Sequence, residues 1–367
     1  MMLEKIKLGQ SEAIALIATA ISTKVFLAYP AIIAGYGGSA AWMIVLLSGL
    51  ITLFFFSFIA KFLERFPNQS FPEIVENVTG QYFGVLIVIA VLFPWLFDLS
   101  LGLRRFSEMI IIVALPETPI SIITLTLVFA AGVVAYLGIK TIAGACYLSF
   151  PFALGAILLI VLLTYPSWNL DWLFPPLGKG ISQILTYGTL CTSDFIELNF
   201  LYLLPLIFYS RQIKSIGYKS IVISMLIFLT MVLTYTLTFP SVIGEEPYLP
   251  LYKMARSVYL GRFLQRIEAI FVFFWVFSGY LWEAAGIYGF CYVFTNLLKL
   301  PDYRPLILPT IIIMCSLAFI PSSLPDTVLI ANNVFGEFAF IPFFGIPALL
   351  LILAIIRKKG DKAGVKK

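Results

Sequence analysis

The sequence has 367 residues, 61% of them hydrophobic and only 12% charged, with a mean hydropathy of +1.01 and a formal net charge of +5. That composition excludes a water-soluble fold and makes a bilayer the solvent. Histidine is absent, which removes the usual zinc ligand and the usual neutral-pH general base, so enzymatic chemistry and a bound cofactor or metal are not expected.

Apolar runs long enough to cross a hydrocarbon core of about 30 Å recur along the whole chain, leaving no room for a soluble domain. One membrane domain over 1–367 is expected, all-α, with ten transmembrane helices. The first apolar run follows Lys5 and Lys7, and Ala18 and Ala20 are spaced like a cleavage site. The run continues past Ala20 to Ala34, so it reads as an uncleaved helix over 9–36. Further spans are predicted over 40–61, 82–104, 119–137 and 141–165, then over 181–209, 217–240, 263–299, 304–320 and 326–357. Phe71, Ile74 and Val78 recur at helical spacing around Glu73 and Glu76, which predicts a short interfacial helix over 70–80, and 249–259 has the same character. The eighth span is roughly 55 Å long at 1.5 Å per residue, so it should tilt or protrude.

Ten spans put both termini on one side. Lys and Arg are retained on the cytoplasmic side, and placing the termini there gives that side 16 of the 24 basic residues. Arg104 and Arg105 would then lie outside, and Lys24 would be the one basic residue deep in a span. Cys146, Cys191, Cys291 and Cys315 all fall in apolar segments and read as free thiols. No nucleic-acid motif accompanies the positive charge.

Polar residues in a bilayer are costly and line cavities or pair with one another, so they are the functional candidates. Span one carries Ser22, Thr23 and Lys24, with Phe26 and Pro30 following; span six carries Thr192, Ser193, Asp194 and Glu197. Ser22 lies 13 residues after Gly9 and Thr192 lies 12 after Gly180, so the two triplets sit at matching depths. That register predicts a five-plus-five inverted repeat, with halves over 9–165 and 181–357. Helices one and six would be broken around a midplane ligand site. The alternative is that the hydroxyls bond back to their own helices and the charges pair structurally. Lys24 is expected to face Asp194, because an ammonium in a water-poor site needs a carboxylate.

Asp98, Glu283 and Glu337 complete a set of five intramembrane acids against one lysine. They cannot all be ionised without a cation, which implies proton or monovalent-cation coupling through Lys24, Asp98, Asp194, Glu197, Glu283 and Glu337. Trp275, Ser278, Gly279, Trp282, Glu283 and Gly286 share one face of span eight, which serves either ligand contact or close helix packing. Asn332 and Asn333 stand beside Glu337 as caps or bends of span ten. Phe26, Tyr29, Tyr187, Trp275 and Trp282 offer an aromatic lining for an apolar amino acid or a cationic amine.

The stretch Arg266-Ile-Glu268-Ala-Ile-Phe-Val-Phe-Phe-Trp275 opens span eight, Phe66-Pro67 through Pro72 precedes the interfacial helix, Leu204-Pro205 closes span six, and the tail is basic. Over nearly its whole length the chain thereby resembles the permease-like B subunit of bacterial spore germinant receptors, of GerAB type, in the amino acid, polyamine and organocation superfamily. The resemblance implies a ten-helix fold, a spore inner-membrane location, and assembly with a membrane-anchored A subunit and a lipoprotein C subunit. It also implies recognition of a nutrient such as an amino acid, coupled to ion release. Lys24 departs from the glycine-rich break of many superfamily transporters, and its ammonium would fill part of the substrate or cation volume. A proton-coupled amino-acid or amine transporter is the competing reading.

Overall fold

A computed structural model describes residues 7–239, 250–257, 267–331 and 339–360. Every regular element in these residues is helical. The first broken helix comprises α1 (Gln10–Ser22) and α2 (Tyr29–Gly37), followed by α3 (Ala41–Arg65), α4 (Phe71–Thr79), α5 (Gln81–Val113), α6 (Ile120–Leu137) and α7 (Ile139–Thr164). A second broken helix comprises α8 (Ile181–Leu190) and α9 (Asn199–Leu203). After it come α10 (Ser210–Thr238), α11 (Pro250–Ser257), α12 (Ile267–Leu297), α13 (Ile307–Ala318), α14 (Leu324–Ile330) and α15 (Ile346–Ile356).

Five helical stretches among the described residues are long and apolar enough to cross a membrane: Tyr29–Arg65, Gln81–Val113, Ile120–Leu137, Ile139–Ser167 and Ser210–Thr238. Their outward faces carry the large exposed apolar side chains, such as Phe83, Leu86, Ile89 and Phe93 on α5. In water that would be an aggregation surface; in lipid it is a matched one.

α4 starts where Ser70 caps it and the Ser70 amide donates to the Glu73 carboxylate at 2.7 Å. The short helix expected over 70–80 is therefore present, and its apolar residues Phe71, Ile74, Val75 and Val78 are buried against protein, chiefly α5. The order of broken helix, long helix, short helix and long helix occurs twice: α1/α2, α3, α4, α5 and again α8/α9, α10, α11, α12. α3 and α10, which hold the same place in each series, pack along one another.

α5 is longer than predicted. It runs to Val113 instead of ending near Arg104, because Arg104 finds partners inside the protein. It bridges to Glu108 at 2.7 Å, and its guanidinium lies 5.4 Å from the centre of the Phe319 ring. Two arginines that looked like a membrane boundary are therefore interior residues.

Candidate functional site

Both predicted breaks are present. α1 ends at Ser22, residues Thr23–Phe26 tighten into a 3₁₀ turn, and Leu27 leaves helical geometry at φ −87°, ψ −145°. Pro30 falls in the first turn of α2, where its missing N–H costs no helical bond. In the second broken helix Cys191–Leu198 is 3₁₀-like, with Phe195 out of helical geometry at φ −103°, ψ 18°.

Three contacts show that the broken helices run antiparallel. The Leu8 amide donates to the Ile207 carbonyl at 2.9 Å, Lys24 meets Glu197 at 2.9 Å, and Tyr36 stacks on Tyr187 with ring centres 3.8 Å apart. The start of one broken helix thus lies beside the end of the other, and the breaks face each other in between.

Lys24 is the hinge of that meeting. Its ammonium donates to both oxygens of Glu197, each at 2.9 Å, and to the Asp194 backbone carbonyl at 3.0 Å. The carboxylate partner is therefore Glu197, not the predicted Asp194. In a 3₁₀ turn residues i and i+3 eclipse, so Glu197 lies in line with Asp194 and reaches the same point. The break also exposes the Asp194 carbonyl as an acceptor, a group that a side-chain comparison overlooks. Trp282 of α12 donates its indole N–H to Glu197 at 3.2 Å and holds that carboxylate from the far side.

From this pair a cavity of about 370 Å³ extends to the Tyr36–Tyr187 stack, on the side away from the start of α1. Lys24, Tyr29, Ile32, Ile33 and Tyr36 form one wall, and Thr186, Tyr187, Cys191, Ser193 and Asp194 the facing wall. α5 adds Asp98 and Arg105, whose side chains approach to 3.8 Å, and Val328 and Ala331 close the space. Two cations and two carboxylates thus share one lining with aromatic and aliphatic surface.

The chain matches the family model described as "Spore germination protein" over residues 7–327. This chain belongs to the spore germination protein family. Among similar proteins of Bacillus subtilis (strain 168), spore germination protein KB is 24% identical over 331 residues, covering 88% of each chain. Spore germination protein A2 is 24% identical over 333 residues, covering 87% of each. Both are matched over most of their length, and the family is one of permease-like membrane proteins, not enzymes. Among solved structures, the nucleobase-cation-symport-1 family transporter Mhp1, in a closed conformation with bromovinylhydantoin bound, shares the fold. The match has a TM-score of 0.67 at 13% identity and covers 95% of this chain and 78% of that one. The germination protein is therefore a multi-pass, all-helical membrane protein with a transporter-like fold.

The other predicted residues divide into several groups. Lys24, Asp98, Ser193 and Asp194 line the cavity, as do Tyr29 and Tyr187. Thr23, Thr192 and Ser193 donate their hydroxyls back to carbonyls of their own segments, at Thr19, Thr189 and Leu190. Ser22, Phe26 and Ser278 meet in a separate small cleft. Trp275 is fully buried and stacks on Phe106, and Gly279 faces the same ring so closely that a Cβ would collide with it. That face of α12 is mainly a packing face toward α5, of the kind small residues permit. Glu283 is buried beside α5 outside the cavity. Glu337, Asn332, Asn333 and Arg266 lie outside the described residues.

Sequence reasoning missed Arg105 and Tyr36. The signal for Arg105 was present, since Asp98 stands seven residues before it, two helical turns along one face.

The packing around Trp282 yields a prediction. A Cβ at Gly102 of α5 would run into the Trp282 ring, and both groups are held in helices. Gly102→Ala is expected to cost about 1–3 kcal/mol, the usual range for overpacking. The melting temperature of the purified protein should fall accordingly; an unchanged value would mean that Trp282 is free to move off Glu197.

Proposed function

We propose that this chain is the permease-like B subunit of a spore germinant receptor and recognises a small zwitterionic nutrient, an amino acid, in the cavity between its two helix breaks. The observation that carries this reading is the mixed lining. The charge of Lys24 suits a carboxylate, Asp98 and Asp194 suit an ammonium, and the tyrosines and isoleucines suit an apolar side chain.

The architecture in this reading has ten spans in one domain over 1–367, built as a five-plus-five inverted repeat. The repeated element order and the antiparallel broken helices support it. Both termini lie on the spore-core side of the inner membrane, which the basic-residue bias favours. The cavity then faces outward, the side from which a nutrient arrives. Assembly with the A and C subunits and ion release on binding complete the proposal, and the kinship with germination proteins A2 and KB supports it.

Likeness in fold to a symporter favours a second reading, a secondary transporter of an amino acid or amine with protons. The two separate in vesicles. Reception predicts that an amino acid raises the melting temperature of the purified chain, that vesicles containing this chain alone do not accumulate it, and that ion flux requires the partner subunits. Accumulation of labelled amino acid by this chain alone would replace reception with transport, and no stabilisation by any member of an amino-acid panel would remove the ligand class.

A further inference from the structure

The charges buried around the cavity do not balance. Lys24 and Arg105 stand among four carboxyl groups, Asp98, Asp194, Glu197 and Glu283. Two of the four have a partner, since Glu197 receives Lys24 and Trp282 and Asp98 lies beside Arg105, and Asp194 opens onto the cavity. Glu283 has none. It is 3% exposed, and neither of its oxygens receives a hydrogen bond. The α5 residue facing it is Gly102, where a Cβ would come within 3.4 Å of its Oε1.

An ionised carboxylate in such a place would forfeit its hydration with nothing in return, whereas a proton neutralises it without requiring further ligands. A metal ion would need a shell of oxygens. Among the described residues no three acidic, cysteine or histidine side chains converge to hold one. The charged and titratable groups that act on Glu283 are Asp98 and Arg105 from α5, with Cys315 on α13 sensing it from the other side. The remaining neighbours of α12 bring charged residues only at the chain positions Glu12 and Lys24 (first broken helix), Glu73 and Glu76 (α4), Lys140 (α7), Glu197 (second break), Lys253 and Arg256 (α11), and Arg304 (the turn before α13); α6 and α13 have none.

We propose that Glu283 is a proton-binding site, resting as the neutral acid, and that it releases its proton when the cavity fills. The link is the Asp98–Arg105 pair. At 3.8 Å it is too long for a hydrogen bond, and the Arg105 Nε has no acceptor, so the guanidinium is loosely held. A ligand ammonium on Asp98 takes over its counter-charge and frees Arg105 to act on Glu283. The O–H bond of Glu283 then breaks, the electron pair stays on the carboxylate, and the proton passes to water. A neutral zwitterion enters and one proton leaves. The trigger rests on the amino-acid reading above; the resting proton does not.

Infrared difference spectroscopy of the full chain under hydrogen–deuterium exchange tests the resting state. A buried carboxylic-acid C=O band is expected in the wild type and should be lost in Glu283→Gln, while Glu283→Asp should keep an acid band at a shifted frequency and covers the case in which the glutamine variant fails to fold. A band that persists in Glu283→Gln, or one that saturating sodium or potassium abolishes in the wild type, overturns the proposal. A pH-indicator dye in weak buffer tests the trigger. Stoichiometric proton release is expected on adding an amino acid that stabilises the wild type, with release lost and stabilisation kept in Glu283→Gln. Release that survives this substitution overturns the coupling. If no amino acid stabilises the wild type, the ligand reading and its trigger fall, and loss of the band in Glu283→Gln still supports the proton site.

Discussion

Replacing Lys24 with methionine is expected to lower the stability of the protein by about 3–5 kcal/mol, the usual cost of stranding one partner of a buried ion pair. The side chains are 14% and 4% exposed, so solvent screens little of the loss. Glu197 would retain only the Trp282 indole, and the Asp194 carbonyl would lose its donor. The damage falls at the one level where both breaks meet, so the antiparallel broken helices should separate there. Removing both charges, in Lys24→Met combined with Glu197→Gln, should recover much of the stability, since two neutral groups leave no uncompensated ion. Melting temperatures of the two single variants and the double variant form the cycle that measures this coupling. A Lys24→Met protein as stable as the wild type would mean that the pair does not hold the breaks together.

Asp194→Asn should act on the ligand instead of the fold. Among the described residues no cation bridges the Asp194 carboxylate, and it faces the cavity, so resting stability should stay close to that of the wild type. Losing a charged hydrogen bond to a ligand ammonium is worth about 1.5–3 kcal/mol. That converts to about a 10- to 150-fold weaker affinity. The ligand-concentration dependence of the melting temperature reads this directly. Undiminished affinity would move the ammonium subsite away from Asp194, leaving Asp98 as the acid that receives it.

The five membrane-crossing stretches among the described residues were legible in the sequence because hydropathy is a bulk property that survives errors of a few residues. Both breaks were legible because hydroxyls and charges are rare in lipid and stood at matching depths. The Lys24 partner was not, because its identity turns on local winding. With 3₁₀ geometry Glu197, three residues on, eclipses Asp194, and no residue pattern announces that the helix tightens there. The α12 face was ambiguous for a related reason. Small residues beside tryptophans serve a ligand or a neighbouring helix equally well, and only the position of Phe106 shows that Gly279 receives a ring. Arg104 and Arg105 were misread because a charged pair near a span's end usually marks the water interface, whereas here each has its own interior acid, Glu108 and Asp98.

Those adjacent arginines carry a mechanical consequence. Neighbouring residues on a helix emerge about 100° apart, at 3.6 residues per turn. Arg105 borders the cavity, while Arg104 reaches the Ser322 carbonyl at 3.4 Å and the Phe319 ring, at the corner between α13 and α14. Both are rooted in one rigid rod. Any axial turn of α5 that moves Arg105 swings Arg104 through the same angle against that corner, from which α14 sends Val328 back to the cavity wall. Motion of α5 at the cavity is thereby geared to the corner between α13 and α14, with α5 as the shaft.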